Sequence, residues 1–147
     1  MTSRTGASLD LLQRFEASYA RVNWEPITKT ALQARIAQSV ERMTDAQRRL
    51  WRAMEIDPVK WEQHPYGDQG GGFWAVGILG RTVIWYNDIE EGFNRSAYSK
   101  FGVIEEYFCN HDELELTVQY VASSLEDGHD LVRILAQYRM NKGSSRA

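Results

Sequence analysis

The sequence predicts one α+β domain, with N-terminal helices, a small antiparallel β-meander of three to four strands, and C-terminal helices. Two observations carry this prediction. Apolar residues recur at helical spacing before residue 58 and after residue 110, whereas the segments GFWAVGIL and TVIWYN between them are β-rich. A chain of 147 residues can bury a core without disulfides, so residues 1–147 are predicted to form a single domain with a polar tail at about 141–147.

Three helices are predicted before the sheet. The first runs from about Leu9 to Val22 and the second from about Lys29 to Arg42, each with apolar residues three or four positions apart. Thr44 and Gln47 have the spacing of a capping box and open a third helix, Asp45–Glu55. The apolar stripes of these helices need a partner, and one face of the sheet is available to them.

The next segment changes from helix to strand. Asp57–Pro58 has the pattern of a helix start, a cap followed by proline, and predicts one short turn that carries Trp61. Pro65–Gly72, with the sequence PYGDQGGG, is typical of a loop, and two strands follow it. Gly80–Arg81 joins the two strands, and a two-residue connection with glycine first is typical of a type II′ hairpin.

The third strand is predicted at Phe101–Cys109, FGVIEEYFC. The preceding stretch, Asp88–Lys100, is then an excursion of about a dozen residues, and loops of that length are often functional. Asn110 is predicted to cap the next helix, which ends at Asp127–Gly128, and a last helix covers about Asp130–Arg139.

The net charge of −3 conceals a strongly acidic middle of the chain. Residues 57–128 hold four basic and thirteen acidic side chains, a balance of −9. Such a field repels nucleic acid and attracts cations or basic proteins. The sequence has a single cysteine and no apolar run near about 18 residues, and no secretory leader is expected from MTSRTGASLDLL. A cytoplasmic protein with no membrane contact and no nucleic-acid partner is therefore predicted.

The most distinctive stretch is WYNDIEEGFN, in which two aromatic residues run into three carboxylates before a further aromatic residue. Paired carboxylates can perform acid–base chemistry or bind a hard cation, and an acidic surface can bind a basic protein. The spacing matches no calcium loop, so neither a metal nor a cofactor is predicted. The predicted binding residues are Trp85, Tyr86, Asp88, Glu90, Glu91, Phe93 and Asn94.

Further carboxylates follow in the chain, and strand pairing is expected to bring them to the same end of the sheet. They are Glu105, Glu106, Asp112, Glu113 and Glu115. The stretch CNHD, Cys109–Asp112, contains a thiol and an imidazole, but consecutive residues point in different directions and make a poor catalytic set. Catalytic residues are therefore not assigned.

The aromatic residues of the strands add a second argument. Phe73–Trp74 and Trp85–Tyr86 occupy neighbouring strands, and alternation cannot direct both members of each pair to one core. Either both faces of the sheet are covered or one aromatic row is open. An open row rimmed by carboxylates has the anatomy of a protein-binding patch.

The middle of the chain resembles a group of known proteins. GGFWAVGILGRTVIWYNDIEEGFN and GVIEEYFCNHDELELTVQYV resemble small bacterial α+β proteins that share a Trp-rich sheet, an acid-rich turn and an Asp-Glu-Leu helix start. The same stretch, about residues 70–122, is similar to SUKH-type immunity proteins, which neutralise toxins by binding them. The resemblance implies a binding protein without catalysis.

The leading hypothesis is a non-catalytic protein-binding module, immunity-like, that neutralises a basic partner such as a toxin through an acidic, aromatic surface. One alternative is a small hydrolase that uses a carboxylate pair from Asp88, Glu90 and Glu91, which requires two acids about 5–10 Å apart across a concave pocket. A second alternative is a structural subunit of a homo-oligomer, for example a homodimer that covers the apolar row with a copy of itself.

Overall fold

The computed structural model describes residues 24–128 of the chain. The predicted first helix, Leu9–Val22, the predicted last helix, Asp130–Arg139, and the predicted tail lie outside the described residues.

Helices precede and follow a four-stranded antiparallel sheet within the described range, which confirms the α+β prediction. The helices are α1 (Lys29–Arg42), α2 (Asp45–Met54) and α3 (Leu114–Asp127). The strands are β1 (Glu55–Trp61), β2 (Phe73–Leu79), β3 (Thr82–Asn87) and β4 (Gly92–Ala97), with one turn of 3₁₀ helix at Asp68–Gly70. Their spatial order follows the chain, β1-β2-β3-β4, so the sheet is a simple meander.

Local capping signals fix the helices on the N-terminal side of the sheet. The Thr28 hydroxyl accepts a hydrogen bond from the Ala31 N–H at 3.1 Å and starts α1. Thr44 and Gln47 form the predicted capping box at the start of α2, each side chain accepting from the other residue's backbone N–H. These two helix starts agree with the sequence prediction to the residue.

The start of α3 differs from its prediction. Its N-cap is Glu113, which makes no side-chain capping bond, so the prediction of Asn110 as the cap is wrong. The Asn110 backbone instead pairs with the amide of Asn94, whose Oδ1 accepts the Asn110 N–H at 2.9 Å. Gly128 ends α3 as predicted, with φ of 70° in the left-handed region.

The predicted helical turn at Asp57–Pro58 and the predicted strand at Phe101–Cys109 are also wrong. The segment Asp57–Pro58 lies within β1 and does not form a helical turn. Pro58 fits there because β1 is an edge strand, and its register against β2 shifts between Glu55 and Val59, so the proline interrupts no regular ladder. The segment Phe101–Cys109 is irregular, and the fourth strand comes from the predicted excursion, at Gly92–Ala97.

Both faces of the sheet are covered. The helical face carries one core cluster, composed of Leu32, Met43, Trp51, Met54, Val76, Ile84, Tyr86, Phe93, Leu114, Val118 and Val121. The opposite face carries a second cluster, composed of Trp61, Phe73, Ala75, Val83, Trp85 and Ile104. Residues 98–110, named here the covering segment, lie over this second face, and the ring of Tyr107 packs on Phe73 and Trp85.

Candidate functional site

A tight turn, Asp88–Glu91, joins β3 to β4 and is named here the acidic turn. Asn87 and Gly92 are the last paired residues on either side of it. The side chain of Asn87 is fully buried, and its Oδ1 accepts the backbone N–H groups of Ile89 at 3.1 Å and Glu90 at 3.2 Å. The turn is thus held from within by one amide side chain.

The other end of the same amide joins the acidic turn to the covering segment. Asn87 Nδ2 donates to the Tyr107 hydroxyl at 3.0 Å and to the Phe108 carbonyl oxygen at 3.1 Å. Gly92 allows this close approach, because a Cβ at that position would lie 2.0 Å from the carbonyl oxygen of Asn110. The acidic turn and the covering segment therefore form one packed unit.

A histidine closes the turn from the outside. The Nδ1 of His111 lies 2.6 Å from the carbonyl oxygen of Glu90 and donates to it, since a carbonyl oxygen can only accept. The His111 Nε2 lies 3.9 Å from Glu90 Oε2, a contact that becomes an ion pair when the ring is protonated.

Among the described residues, Glu91 is the only residue other than glycine with a positive φ, at 56°. The left-handed region disfavours a side chain by about 1 kcal/mol, and glycine or asparagine usually occupies it. Backbone strain of this kind persists where the surrounding structure determines the conformation, and it is frequent at functional sites. The acidic turn keeps a carboxylate at a position where glycine would be more stable.

The predicted aromatic contacts are not at the surface. Trp85 is 0% exposed and lies under the covering segment, where its Nε1 donates to Ser96 Oγ at 2.9 Å. Tyr86 and Phe93 are buried in the helical core with ring centroids 4.9 Å apart, and burial raises the pKa of Tyr86. The prediction of an open aromatic row is wrong, because the covering segment was not foreseen as a second layer. Asn94 is buried as well and holds Asn110.

Asp88 turns inward, unlike the rest of the turn. Its side chain is only 8% exposed, and Oδ2 accepts the backbone N–H of Ile27 at 2.8 Å. Its Oδ1 is buried with no hydrogen-bond partner in the structure that residues 24–128 define. Burial raises the pKa of Asp88, and the positive charge of Lys60 opposes that shift. Asp88 therefore fastens the segment before α1 to the sheet.

The remaining acids do not gather at one rim. Glu105 accepts from Ser99 and Glu106 from the Ala97 N–H, at the end of β4 that is opposite the acidic turn. Gly92 and Ala97 are five residues apart on β4, or about 17 Å at 3.4 Å per residue.

Glu113 and Glu115 lie within ion-pair distance of Arg42, with the shortest contact 2.7 Å. The described residues contain no group of three His, Cys, Asp or Glu side chains that could hold a metal ion. Asp112 does lie at the turn end of the sheet, where its carbonyl oxygen accepts the Phe93 N–H at 2.8 Å. The sequence prediction of one rim shared by all these acids is therefore wrong, and in the acidic turn Glu91 is exposed and Glu90 is half-buried.

Three exposed apolar residues are linked to the Asn87 amide, either through a backbone hydrogen bond or through Tyr107. The sequence prediction missed all three. Ile89 is 38% exposed at the turn itself, and Phe108 is 36% exposed. Tyr66 is 53% exposed and stacks on Tyr107 at a centroid distance of 4.3 Å. The signal for Ile89 was its place between Asp88 and Glu90, whereas Tyr66 and Phe108 are brought there by tertiary packing alone.

No family model, no curated protein and no solved structure matches this chain. None of the helices between residues 24 and 128 has the length and apolar character needed to cross a membrane.

Proposed function

We propose that this protein is a non-catalytic protein-binding module whose acidic turn and exposed apolar neighbours contact a basic surface of a partner protein. The observation that carries the proposal is the preorganisation of the turn. Asn87 holds two of its backbone N–H groups, His111 holds the Glu90 carbonyl, and Glu91 is kept in a strained conformation. A rigid contact loop loses little conformational entropy when it binds.

The charge of the surface supports a basic partner. Glu90 and Glu91 project from the turn, and the surrounding chain from residue 57 to residue 128 has a balance of −9. A field of this sign accelerates encounters with positively charged proteins and disfavours acidic ones.

The apolar neighbours supply contact area that can be removed from water. Ile89, Phe108 and Tyr66 are all partly exposed, and each is linked to the Asn87 amide directly or through Tyr107. Apolar anchors inside a charged rim are the usual anatomy of a protein interface. These three side chains take the role that the sequence prediction gave to the buried Trp85, Tyr86 and Phe93.

The orientation of the carboxylates favours binding over hydrolysis. Asp88 points inward to the backbone of Ile27, whereas Glu90 lies beside His111 on the exposed side. A carboxylate pair for glycosidic hydrolysis needs both acids to face a common concave pocket. In the immunity-like form of the proposal, which rests on the resemblance of residues 70–122, the basic partner is a toxin.

The test reverses the charge of the turn. Wild type and the double variant Glu90→Lys/Glu91→Lys serve as baits in an extract of the source cell, and any captured protein is then titrated calorimetrically against both. We expect a basic protein whose affinity falls at least about 100-fold in the variant, since each reversal removes an attraction and adds a repulsion. The melting temperature should change little, because Glu91 is exposed and the side chain of the half-buried Glu90 is still 39% exposed.

A matched control carries the same change of charge elsewhere. Glu41→Lys/Glu126→Lys alters two exposed acids that lie on α1 and α3, away from the acidic turn. The proposal requires this control to bind within about threefold of wild type. Equal affinity of the turn variant and wild type for the captured protein would exclude the acidic turn as the contact surface.

A further inference from the structure

A titratable side chain lies against the acidic turn at the point where the turn carries its charge. The Nδ1 of His111 donates to the carbonyl oxygen of Glu90 at 2.6 Å, and its Nε2 is 3.9 Å from Oε2 of the same residue. One imidazole ring therefore faces both the backbone and the carboxylate of Glu90. The side chain of His111 is 73% exposed, so the ring exchanges protons with the solvent directly.

The backbone of His111 is fixed to the start of β4. A Cβ on Gly92 would lie 2.5 Å from the Cα of His111, so the chain passes directly over this glycine. At the next residue, the carbonyl oxygen of Asp112 accepts the Phe93 N–H at 2.8 Å. The contact between the ring and Glu90 therefore belongs to the fold and does not depend on two independent surface side chains meeting.

The backbone contact decides which ring nitrogen changes its protonation. A carbonyl oxygen can only accept, so Nδ1 of His111 carries a hydrogen in the neutral ring and in the charged ring alike. The proton that changes the charge is therefore gained and lost at Nε2, which faces Oε2 of Glu90. The neutral ring leaves this carboxylate available to a basic group of a partner, whereas the protonated ring offsets its charge.

The other titratable groups of the surrounding segments do not share this position. They are Glu91 on the turn, Cys109 in the covering segment, and Asp112 and Glu113 before α3. Among residues 24–128, Glu90 is the only acid within ion-pair distance of the His111 ring. Asp88, whose pKa is raised by burial, points inward to the backbone of Ile27. The carboxylate that the ring controls directly is therefore that of Glu90.

The pairing of His111 with Glu90 gives the acidic turn a means of regulation. We propose that His111 makes partner binding by the acidic turn sensitive to pH, with binding strong when the ring is neutral and weak when it is protonated. This inference rests on the proposed function, because it concerns the same turn. Histidine is the side chain that changes charge between about pH 5 and pH 8. A basic partner and a proton compete for the charge of one carboxylate, and by linkage each lowers the affinity for the other.

The probe is a hexa-arginine peptide with blocked ends, because guanidinium groups keep their charge at every pH used. Binding is titrated at low salt by two-dimensional NMR, in which the amide signals of Glu90 and Glu91 report contact with the turn. For wild type we expect the affinity to be about five- to tenfold lower at about pH 5.5 than at about pH 7.5. His111→Asn keeps an N–H donor for the Glu90 carbonyl but cannot be protonated, so its affinity should change by less than about twofold between the same pH values.

Two further variants separate the turn from the rest of the surface. His64→Asn removes another exposed imidazole, which pairs with Asp68, so this variant should keep the full pH dependence of wild type. Glu90→Gln removes the carboxylate for which the proton and the peptide compete. It should bind more weakly than wild type at about pH 7.5 and lose most of the pH dependence.

The outcomes separate this inference from the proposed function. Amide signals of Glu90 and Glu91 that stay unmoved by hexa-arginine at about pH 7.5 would overturn both, because the turn would then not contact a basic surface. Binding at that pH with equal affinity at about pH 5.5 would overturn the inference alone. The same conclusion would follow if His111→Asn or Glu90→Gln kept the pH dependence of wild type, or if His64→Asn abolished it.

Discussion

Replacing Asn87 by alanine tests the central element of the acidic turn. The fully buried amide makes four hydrogen bonds, to the N–H groups of Ile89 and Glu90, the hydroxyl of Tyr107 and the carbonyl of Phe108. At about 1 kcal/mol for each bond, and with partial rehydration of the exposed turn, Asn87→Ala should lower the free energy of unfolding by about 3 kcal/mol.

Urea denaturation measures this effect. With a slope of about 2 kcal/mol/M, the midpoint should fall by about 1.5 M. Tyr107→Phe is the matched control, since it removes one acceptor of the four bonds and should lower the free energy by only about 1 kcal/mol. Amide hydrogen exchange should accelerate at Ile89 and Glu90 more than in β2. A loss below about 1 kcal/mol in Asn87→Ala, or equal losses in both variants, would refute the assignment of Asn87 as the centre of the turn.

Three further changes probe the same region. Glu91→Gly should raise the free energy of unfolding by about 0.5–1 kcal/mol in urea denaturation, because it relieves the positive φ of 56°, and a decrease would contradict the strain argument. Gly92→Ala should lower it by more than about 3 kcal/mol, since its Cβ would lie 2.0 Å from the Asn110 carbonyl oxygen; near-neutral behaviour would show that the backbone yields easily. Burial raises the folded-state pKa of Asp88, so its contribution to stability is full below its unfolded pKa and declines as pH rises through the folded pKa. Above the ordinary aspartate pKa of about 3.9, the melting temperature of Asp88→Asn should therefore rise relative to that of wild type as pH increases from about 4 to about 7. A difference that stays constant over this range would mean that burial does not hinder the ionisation of Asp88.

The helices were predictable from the sequence because their signals are local. The start of α1, the capping box of α2 and the glycine that ends α3 all depend on residues within one turn of the helix end. β2 and β3 were predictable for a similar reason, since both are rich in β-branched and aromatic residues.

β4 could not be recognised in this way because its sequence, GFNRSA, is mostly polar. It is a strand because the four residues of the acidic turn place Gly92 opposite Asn87, and because the covering segment satisfies the buried side chains of Asn94 and Ser96. In the covering segment the error was the reverse, because a strand was predicted where the chain is irregular. FGVIEEYFC has the composition of a strand, but its Ile104 and Tyr107 pack on the second face of the sheet.

The position of the acidic turn in the chain was predictable, but the exposure of the side chains around it was not. The position of Glu90 and Glu91 beyond the end of β3 follows from the chain order, and alternation alone predicted that Trp85 and Tyr86 face opposite sides. Whether the face of Trp85 is open or covered depends on residues 98–110, which are remote in sequence from β2, and no local pattern specifies that they fold back over it.

The covering segment has a consequence for self-association. It bonds to Glu62, the residue directly after β1, whose N–H and carbonyl groups pair with Gly102 and Ile104, and at the end of β4 the side chain of Glu106 accepts the Ala97 N–H. The covering segment thus contacts the sheet next to both edge strands, and at those points the backbone groups are not free to pair with a strand of another molecule. Cleavage of the chain near Phe101 would unfasten both borders together, and a nicked protein should then precipitate through strand pairing well before its helices melt.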